Sequence, residues 1–281
     1  MRTERIEAAP GVGLAVRRWD GAGPGFVLVH GLASNAMMWD GVADALAAAG
    51  HAVAAVDLRG HGRSDKPDAG YDFETVTDDV REVLRALGLD RPVVVGQSWG
   101  GNLAVELAHR FPDALRGIAC VDGGFIELAE RFPEWAECER VLAPPRLAGT
   151  PAREIEAYAR RAHPDWPETG IRGLLANFEI RPDGTVAPWL TYERHMTILR
   201  ALWEHRPFTR LAGLDAPLLL VPAGGDATWA AEKASLVARA EREAWRIRVR
   251  WFPDADHDIH GQHPVELAAA LHEASTDGFF G

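Results

Sequence analysis

The order of apolar runs along this chain predicts an α/β fold: an eight-stranded, mostly parallel sheet with helices on both faces and a helical cap inserted after the sixth strand. Three observations carry that expectation. Short apolar, β-branched runs alternate with longer amphipathic segments, the rhythm of parallel strands joined by helical crossovers. The first two runs are joined only by Pro10-Gly11, too short for a crossover, which predicts an antiparallel hairpin at one edge. The rhythm then breaks once, where about 90 residues separate Asp122 from Pro217, far more than one crossover needs.

Taken in order, strands are expected at 4–9, 12–19, 26–30, 52–57, 92–97, 117–122, 217–222 and 246–252. Helical spacing of apolar residues predicts crossovers at about 40–49, 74–88, 99–111, 229–242 and 264–276. The long interval reads as several helices separated by proline-rich turns such as Ala143-Pro144-Pro145 and Ala162-His163-Pro164. This divides the chain into a core from 1–124, a helical cap from 125–207 and the rest of the core from 208–281. A cap placed there covers the C-terminal edge of the strands, where open α/β sheets bind ligands.

Composition narrows the function. At 281 residues, with 47% hydrophobic and 25% charged residues, the chain has the make-up of an ordinary globular protein. A formal charge of −11 with scattered acidic residues argues against a nucleic-acid partner, which needs a concentrated basic face. The N-terminal residues lack the apolar run of a signal peptide, and no apolar stretch approaches a bilayer span of roughly 20 residues, so a cytoplasmic location and no membrane partner are expected. Two cysteines, Cys120 and Cys138, form neither a disulfide framework nor a metal spacing. Lysine occurs only at Lys66 and Lys233, a bias without functional meaning in the sequence alone.

The chemistry is concentrated at Val93-Val94-Val95-Gly96-Gln97-Ser98-Trp99-Gly100-Gly101. A serine between glycines at a strand's end marks a sharp strand-to-helix turn, which thrusts the hydroxyl outward from a strained backbone. Gly96 and Gly100 leave room for that turn because they carry no Cβ. A serine hydroxyl is a weak nucleophile and needs a base, itself oriented by an acid. Ala223-Gly224-Gly225-Asp226 follows the seventh strand and Asp254-Ala255-Asp256-His257 follows the eighth, so the carboxylate and the imidazole emerge at the same sheet edge as Ser98. Asp226 is the preferred acid; Asp122, at the end of the sixth strand, is the alternative.

Four motifs then resemble the α/β-hydrolase family over nearly the whole chain outside the cap. They are Val29-His30-Gly31-Leu32, Asp57-Leu58-Arg59-Gly60-His61-Gly62-Arg63-Ser64, the turn at Ser98, and Ala255-Asp256-His257 with Pro264 seven residues later. The resemblance implies a catalytic triad of Ser98, Asp226 and His257 in the family's chain order. It also implies an oxyanion hole made by the backbone N–H groups of Leu32 and Trp99. His30 and the 59–64 loop are expected to support these groups. No cofactor is implied.

A metal is the rival reading of the three histidines and three aspartates between Asp254 and His263. As a calcium loop the stretch puts Ile259 where a turn glycine belongs and Val265 where a bidentate glutamate belongs. For zinc, His257, His260 and His263 would need a common helical face, which Gly261 and Pro264 interrupt. The expectation is therefore no metal, with His260 and His263 lining the rim or capping the last helix.

The resemblance points to hydrolysis of a small or medium carboxylic ester or lactone through an acyl-enzyme on Ser98. Thioesterase, carbon–carbon hydrolase and perhydrolase chemistry use the same framework, and some proteins of this fold are small-molecule receptors with a retained triad. Epoxide hydrolases and haloalkane dehalogenases of the family carry aspartate at the turn, where this chain has serine. The expected partner is a small-molecule substrate. Cap aromatics Phe132, Trp135, Tyr158, Trp166, Trp189, Tyr192 and Trp203 favour an apolar acyl or aryl group, two or three of them as pocket walls, while Arg160, Arg161 and Arg172 leave an anionic one open. The oligomeric state is not legible.

Overall fold

A computed structural model describes residues 1–225 and 229–281 of the chain. Its strands are β1 (Arg2–Ala9), β2 (Val12–Trp19), β3 (Gly23–Val29), β4 (His51–Val56), β5 (Val93–Gln97), β6 (Gly117–Val121), β7 (Phe178–Ile180), β8 (Val186–Pro188), β9 (Leu218–Val221) and β10 (Ile247–Val249). Eight of them form one sheet in the order β1-β2-β4-β3-β5-β6-β9-β10. β1 and β2 pair antiparallel, as does β2 with β4, and every later pair is parallel. The eight-stranded, mostly parallel sheet with its edge hairpin is therefore present as expected.

The central strands are apolar on both faces because both faces are covered. Phe26, Val27, Leu28 and Val29 on β3 and Val93, Val94 and Val95 on β5 are all buried. Alternate side chains enter two separate cores. Val27, Val29 and Val94 pack with residues of helices α2 (Phe73–Leu87) and α3 (Trp99–Arg110), whereas Phe26, Leu28, Val93 and Val95 pack with residues of α1 (Asp40–Ala48). α2 illustrates how local sequence sets an element. Asp72 caps its start by accepting the Thr75 N–H at 2.9 Å, worth about 1 kcal/mol, and Gly88 ends it at φ 63°. Between them Val76, Val80, Val83, Leu84 and Leu87 recur at helical spacing on the buried face.

Between β6 and β9 the chain forms α4 (Leu128–Arg131), α5 (Trp135–Leu142), α6 (Ala152–Ala162), α7 (Glu168–Leu175), α8 (Tyr192–Glu204) and α9 (Pro207–Leu211). A small hairpin, β7 with β8, interrupts these helices and was not anticipated. Its turn has a local cause: Asp183 accepts the Thr185 N–H at 2.9 Å, and Gly184 takes φ 79°. The end of this segment is pinned to the core. Glu106 of α3 accepts from Arg210 Nε at 2.8 Å and lies 3.3 Å from His205 Nε2, whose ring stacks on Phe73. α10 (Ala230–Glu243), α11 (Ile259–Gln262) and α12 (Pro264–Thr276) complete the chain, with α12 packed beside α1. No helix among the described residues is long and apolar enough to cross a membrane.

Candidate active site

Ser98 lies immediately beyond β5 and immediately before α3, with φ 53° and ψ −120°. Left-handed φ is costly for a residue with a Cβ, and surrounding contacts hold it there. The Ser98 N–H continues the sheet by donating to the Val121 carbonyl at 3.0 Å, while its own carbonyl accepts from Gly101 N at 2.9 Å. One residue thus closes a strand and opens a helix. The glycines serve as the sequence suggests: a Cβ on Gly96 would lie 2.0 Å from the Gly100 oxygen, and one on Gly100 would lie 2.5 Å from the Val29 oxygen. Gly31 of the Val29–Leu32 motif and Gly123, which the sequence did not single out, are equally constrained. A Cβ on Gly123 would lie 2.2 Å from the Ser98 oxygen, and one on Gly31 would meet Gln97 Oε1 and the Ser98 Cβ.

Asp122 occupies the matching position one strand over, immediately beyond β6 and also at positive φ, 43°. Its carboxylate is buried and its Oδ2 accepts from His257 Nδ1 at 2.6 Å. A carboxylate only accepts, so the proton is on Nδ1 and Nε2 is left to act as the base. Oδ1 accepts the Ala223 N–H at 3.0 Å. Among the described residues the carboxylate partner of His257 is Asp122, the alternative acid of the sequence; Asp226, the preferred one, lies outside the described residues.

A third group completes the cluster. Lys233 of α10 places its ammonium 2.8 Å from Asp122 Oδ1 and 2.9 Å from Oδ2, and donates to the Ala223 carbonyl at 2.8 Å. Crowding by the surrounding protein disfavours charge on the half-exposed His257 ring, but the Asp122 hydrogen bond and the negative charges of Asp258 and Asp122 outweigh it, with Lys233 opposing them. The imidazole pKa is raised above the ordinary histidine value. Burial would raise the Asp122 pKa, yet the contacts with His257 and Lys233 hold it below the ordinary carboxylate value. Sequence reasoning missed Lys233; its only signal was the rarity of lysine.

The loop carrying Leu32 is braced from behind. His30 Nδ1 donates to the Gly31 carbonyl at 2.7 Å and Nε2 accepts the Leu58 N–H at 3.0 Å. His61 Nε2 accepts the Ala33 N–H at 3.3 Å, where Ala33 stands at φ 60°. Burial pushes both imidazoles below the ordinary histidine value, so they stay neutral and serve as bridges. Asp57 accepts from the N–H groups of Ala36 and Arg63, and Arg59 pairs with buried Asp79, which fixes the 57–64 loop beneath. Trp99 is the first residue of α3, so its N–H has no acceptor within the helix and faces the favourable end of the helix dipole.

Ser98, Asp122 and His257 line one cavity of about 750 Å³. Its apolar walls are Phe125, Ile126, Leu128, Leu142, Leu199, Leu202, Trp229 and Leu236. None of the seven aromatics expected as candidate walls is among them. Phe132, Trp135 and Trp203 pack around Leu199, Trp166 packs on Met38, and Tyr158 is exposed. Trp189 and Tyr192 line a separate cavity of about 400 Å³ with His61 and His195. Arg160 is bound by Glu156 and Glu168 on the surface. His260 lies buried against Trp39 at 4.4 Å between ring centroids, where burial lowers its pKa to about 4, and His263 precedes α12.

Residues 24–151 match the model of a family described as alpha/beta hydrolase fold. An uncharacterized Mycobacterium tuberculosis protein is 38% identical over 104 residues, which is 37% of this chain and 30% of that protein, so this chain spans about a third of that relative's length. The 2-(acetamidomethylene)succinate hydrolase of Mesorhizobium japonicum is 29% identical over 260 residues, covering 90% of this chain and 88% of that enzyme. The crystal structure of E-2-(acetamidomethylene)succinate hydrolase superimposes with a TM-score of 0.80 at 25% identity, covering 99% of both chains.

Proposed function

Because this chain belongs to the alpha/beta-hydrolase fold family, we propose that it is a serine hydrolase cleaving a small or medium carboxylic ester or lactone through an acyl-enzyme on Ser98. The observation that carries this reading is the convergence on one cavity of a strained, outward-turned serine and an imidazole hydrogen-bonded to a buried carboxylate. His257 Nε2 takes the Ser98 proton as the oxygen attacks the carbonyl. Asp122 holds the reactive tautomer and stabilises the imidazolium. The N–H groups of Leu32 and Trp99 receive the negative oxygen of the tetrahedral intermediate. Protonation by His257 releases the alcohol, and water activated by the same imidazole then frees the acid. The aliphatic walls favour an apolar acyl group, and the segment from 125–207 acts as the cap that supplies most of them.

A second reading, amide hydrolysis, is favoured by the similarity over 90% of the chain to an enzyme named for an acetamido-bearing succinate. The same steps apply, with His257 protonating a leaving nitrogen.

Purified protein would be treated with a fluorophosphonate, then assayed against p-nitrophenyl esters of graded chain length, lactones, thioesters and 2-(acetamidomethylene)succinate. Labelling at Ser98, lost in Ser98→Ala, with multiple turnovers of an ester or lactone is the expected result. Turnover retained in Ser98→Ala would end the proposal, and turnover of the acetamido compound alone would select the second reading. Binding with at most a few turnovers would indicate a receptor instead.

A further inference from the structure

Lys233 has no counterpart among the groups that a serine, its base and its acid require, yet it is built into them. Its ammonium has three N–H donors, and among the described residues three acceptors meet it: both oxygens of Asp122 and the Ala223 carbonyl. Its side chain is 14% exposed and that of Asp122 is 3% exposed, so the pair sits where water screens it weakly. Ala223 also donates its N–H to Asp122 Oδ1, so one short stretch after β9 joins lysine and carboxylate through both of its peptide groups.

We propose that Lys233 is a positioning residue of this site, locking the Asp122 carboxylate toward His257 and setting the pH range over which the imidazole is neutral and able to act as a base. The role rests on the serine-hydrolase reading only for its catalytic consequence; the electrostatic coupling of the three residues stands on the geometry itself.

The sign follows from the charges around the imidazole. Asp122, at the end of β6, and Asp258, on the histidine's own loop, favour the imidazolium, while Lys233 opposes it. Among the described residues, other charged or titratable groups on packed elements are Asp256 beside the histidine, Glu127 and Arg131 around α4, Glu232 on α10 and His260 on α11. Among these, Lys233 alone both touches the carboxylate bonded to His257 and stands as a cation nearly buried beside it. Removing its charge leaves Asp122 with a fuller negative charge facing Nδ1, so the imidazolium becomes more stable and the base neutral only at higher pH.

The direct test is an NMR titration of the His257 ring nitrogens in the wild type, Lys233→Met and Lys233→Arg, each shown to be folded by circular dichroism. Lys233→Met is expected to move the His257 midpoint upward by about one pH unit, while Lys233→Arg keeps it within a few tenths of the wild-type value. An unmoved midpoint in Lys233→Met, or an equal shift in Lys233→Arg, would overturn the proposal. A purely structural lysine would lower activity at every pH without moving the midpoint.

A measurement on the unmodified protein stands beside these variants. Because Lys66 and Lys233 are the chain's two lysines, selective 13Cε-lysine labelling gives two resonances. That of Lys233 should step at the His257 midpoint, and a flat Lys233 resonance through that midpoint would count against the coupling. Rates of fluorophosphonate labelling at Ser98 across the same pH range separate the two ideas. A Lys233-dependent titration without labelling would retain the coupling and remove the hydrolase reading; labelling with no Lys233 dependence would do the reverse.

Discussion

His257 donates from Nδ1 to Oδ2 of Asp122 at 2.6 Å, joining residues 135 positions apart. Asp122→Asn replaces an acceptor with a group able to present an N–H, which favours the wrong imidazole tautomer. Turnover is expected to fall by about 10³- to 10⁴-fold, as for loss of the acid in comparable triads. Asp226→Asn is expected to retain most of the activity. Steady-state kinetics on both variants checks this, and the opposite pattern would return the acid role to Asp226.

The raised pKa of His257 sets the pH profile. The base works when neutral, so kcat/KM should rise with pH along one limb whose midpoint lies above the ordinary histidine value. A limb centred below that value, or a rate flat between about pH 5 and 9, would contradict the assignment of His257 as the base.

Gly123 tests how finely the serine is placed. A Cβ there would lie 2.2 Å from the Ser98 carbonyl oxygen and 2.8 Å from its Cα, so Gly123→Ala must shift the turn. The expected loss in kcat is about 100-fold, as for a displacement near 1 Å of a reacting group. Chemical denaturation should show destabilisation of about 1–3 kcal/mol. Wild-type kinetics in this variant would mean that the turn is looser than its contacts imply.

Acid should loosen the anchor of the inserted segment. Burial alone would raise the Glu106 pKa, but hydrogen bonds with His205 and Arg210 hold it down to about 2. A carboxylate with a depressed folded pKa contributes stability that is complete above its unfolded value of about 4.3 and is lost as pH falls towards 2. Burial also lowers the His205 pKa, so the unfolded chain takes that proton first and stability falls further as pH drops below the ordinary histidine value. Urea midpoints should therefore decline from about pH 6 downward. Glu106→Gln should flatten the part of that decline below about pH 4; an unchanged slope would remove Glu106 as its source.

The sheet was legible because fully buried parallel strands must be apolar on both faces, a pattern visible at Val93 to Val95 and at Leu218 to Val221 without any structure. Ser98 and His257 were legible as candidates because glycine spacing and strand-end position are local properties. The acid was not. β6 and β9 are parallel neighbours, so residues following either of them reach the same edge, and the choice depends on how each loop turns. The β7–β8 hairpin was missed although Pro182-Asp183-Gly184 is a turn signal, because three-residue strands leave almost no alternation to detect. The walls were misjudged for a different reason: an aromatic side chain holding two helices together and one facing a cavity have the same sequence signature. Trp135 and Trp203 pack on each other, and leucines from α5 and α8 face the cavity instead.

Gln97 and Val121 are paired in the ladder between β5 and β6, and Ser98 and Asp122 are the next residue on each strand. The spacing of the proposed nucleophile and acid is thus gauged by the backbone itself, through the separation of about 4.8 Å between neighbouring strands. That ruler owes nothing to the residues between Phe125 and Pro207. On the proposed reading the chain is a chassis on which this stretch could be exchanged for a foreign one, retargeting the molecule while Ser98 and Asp122 keep their register.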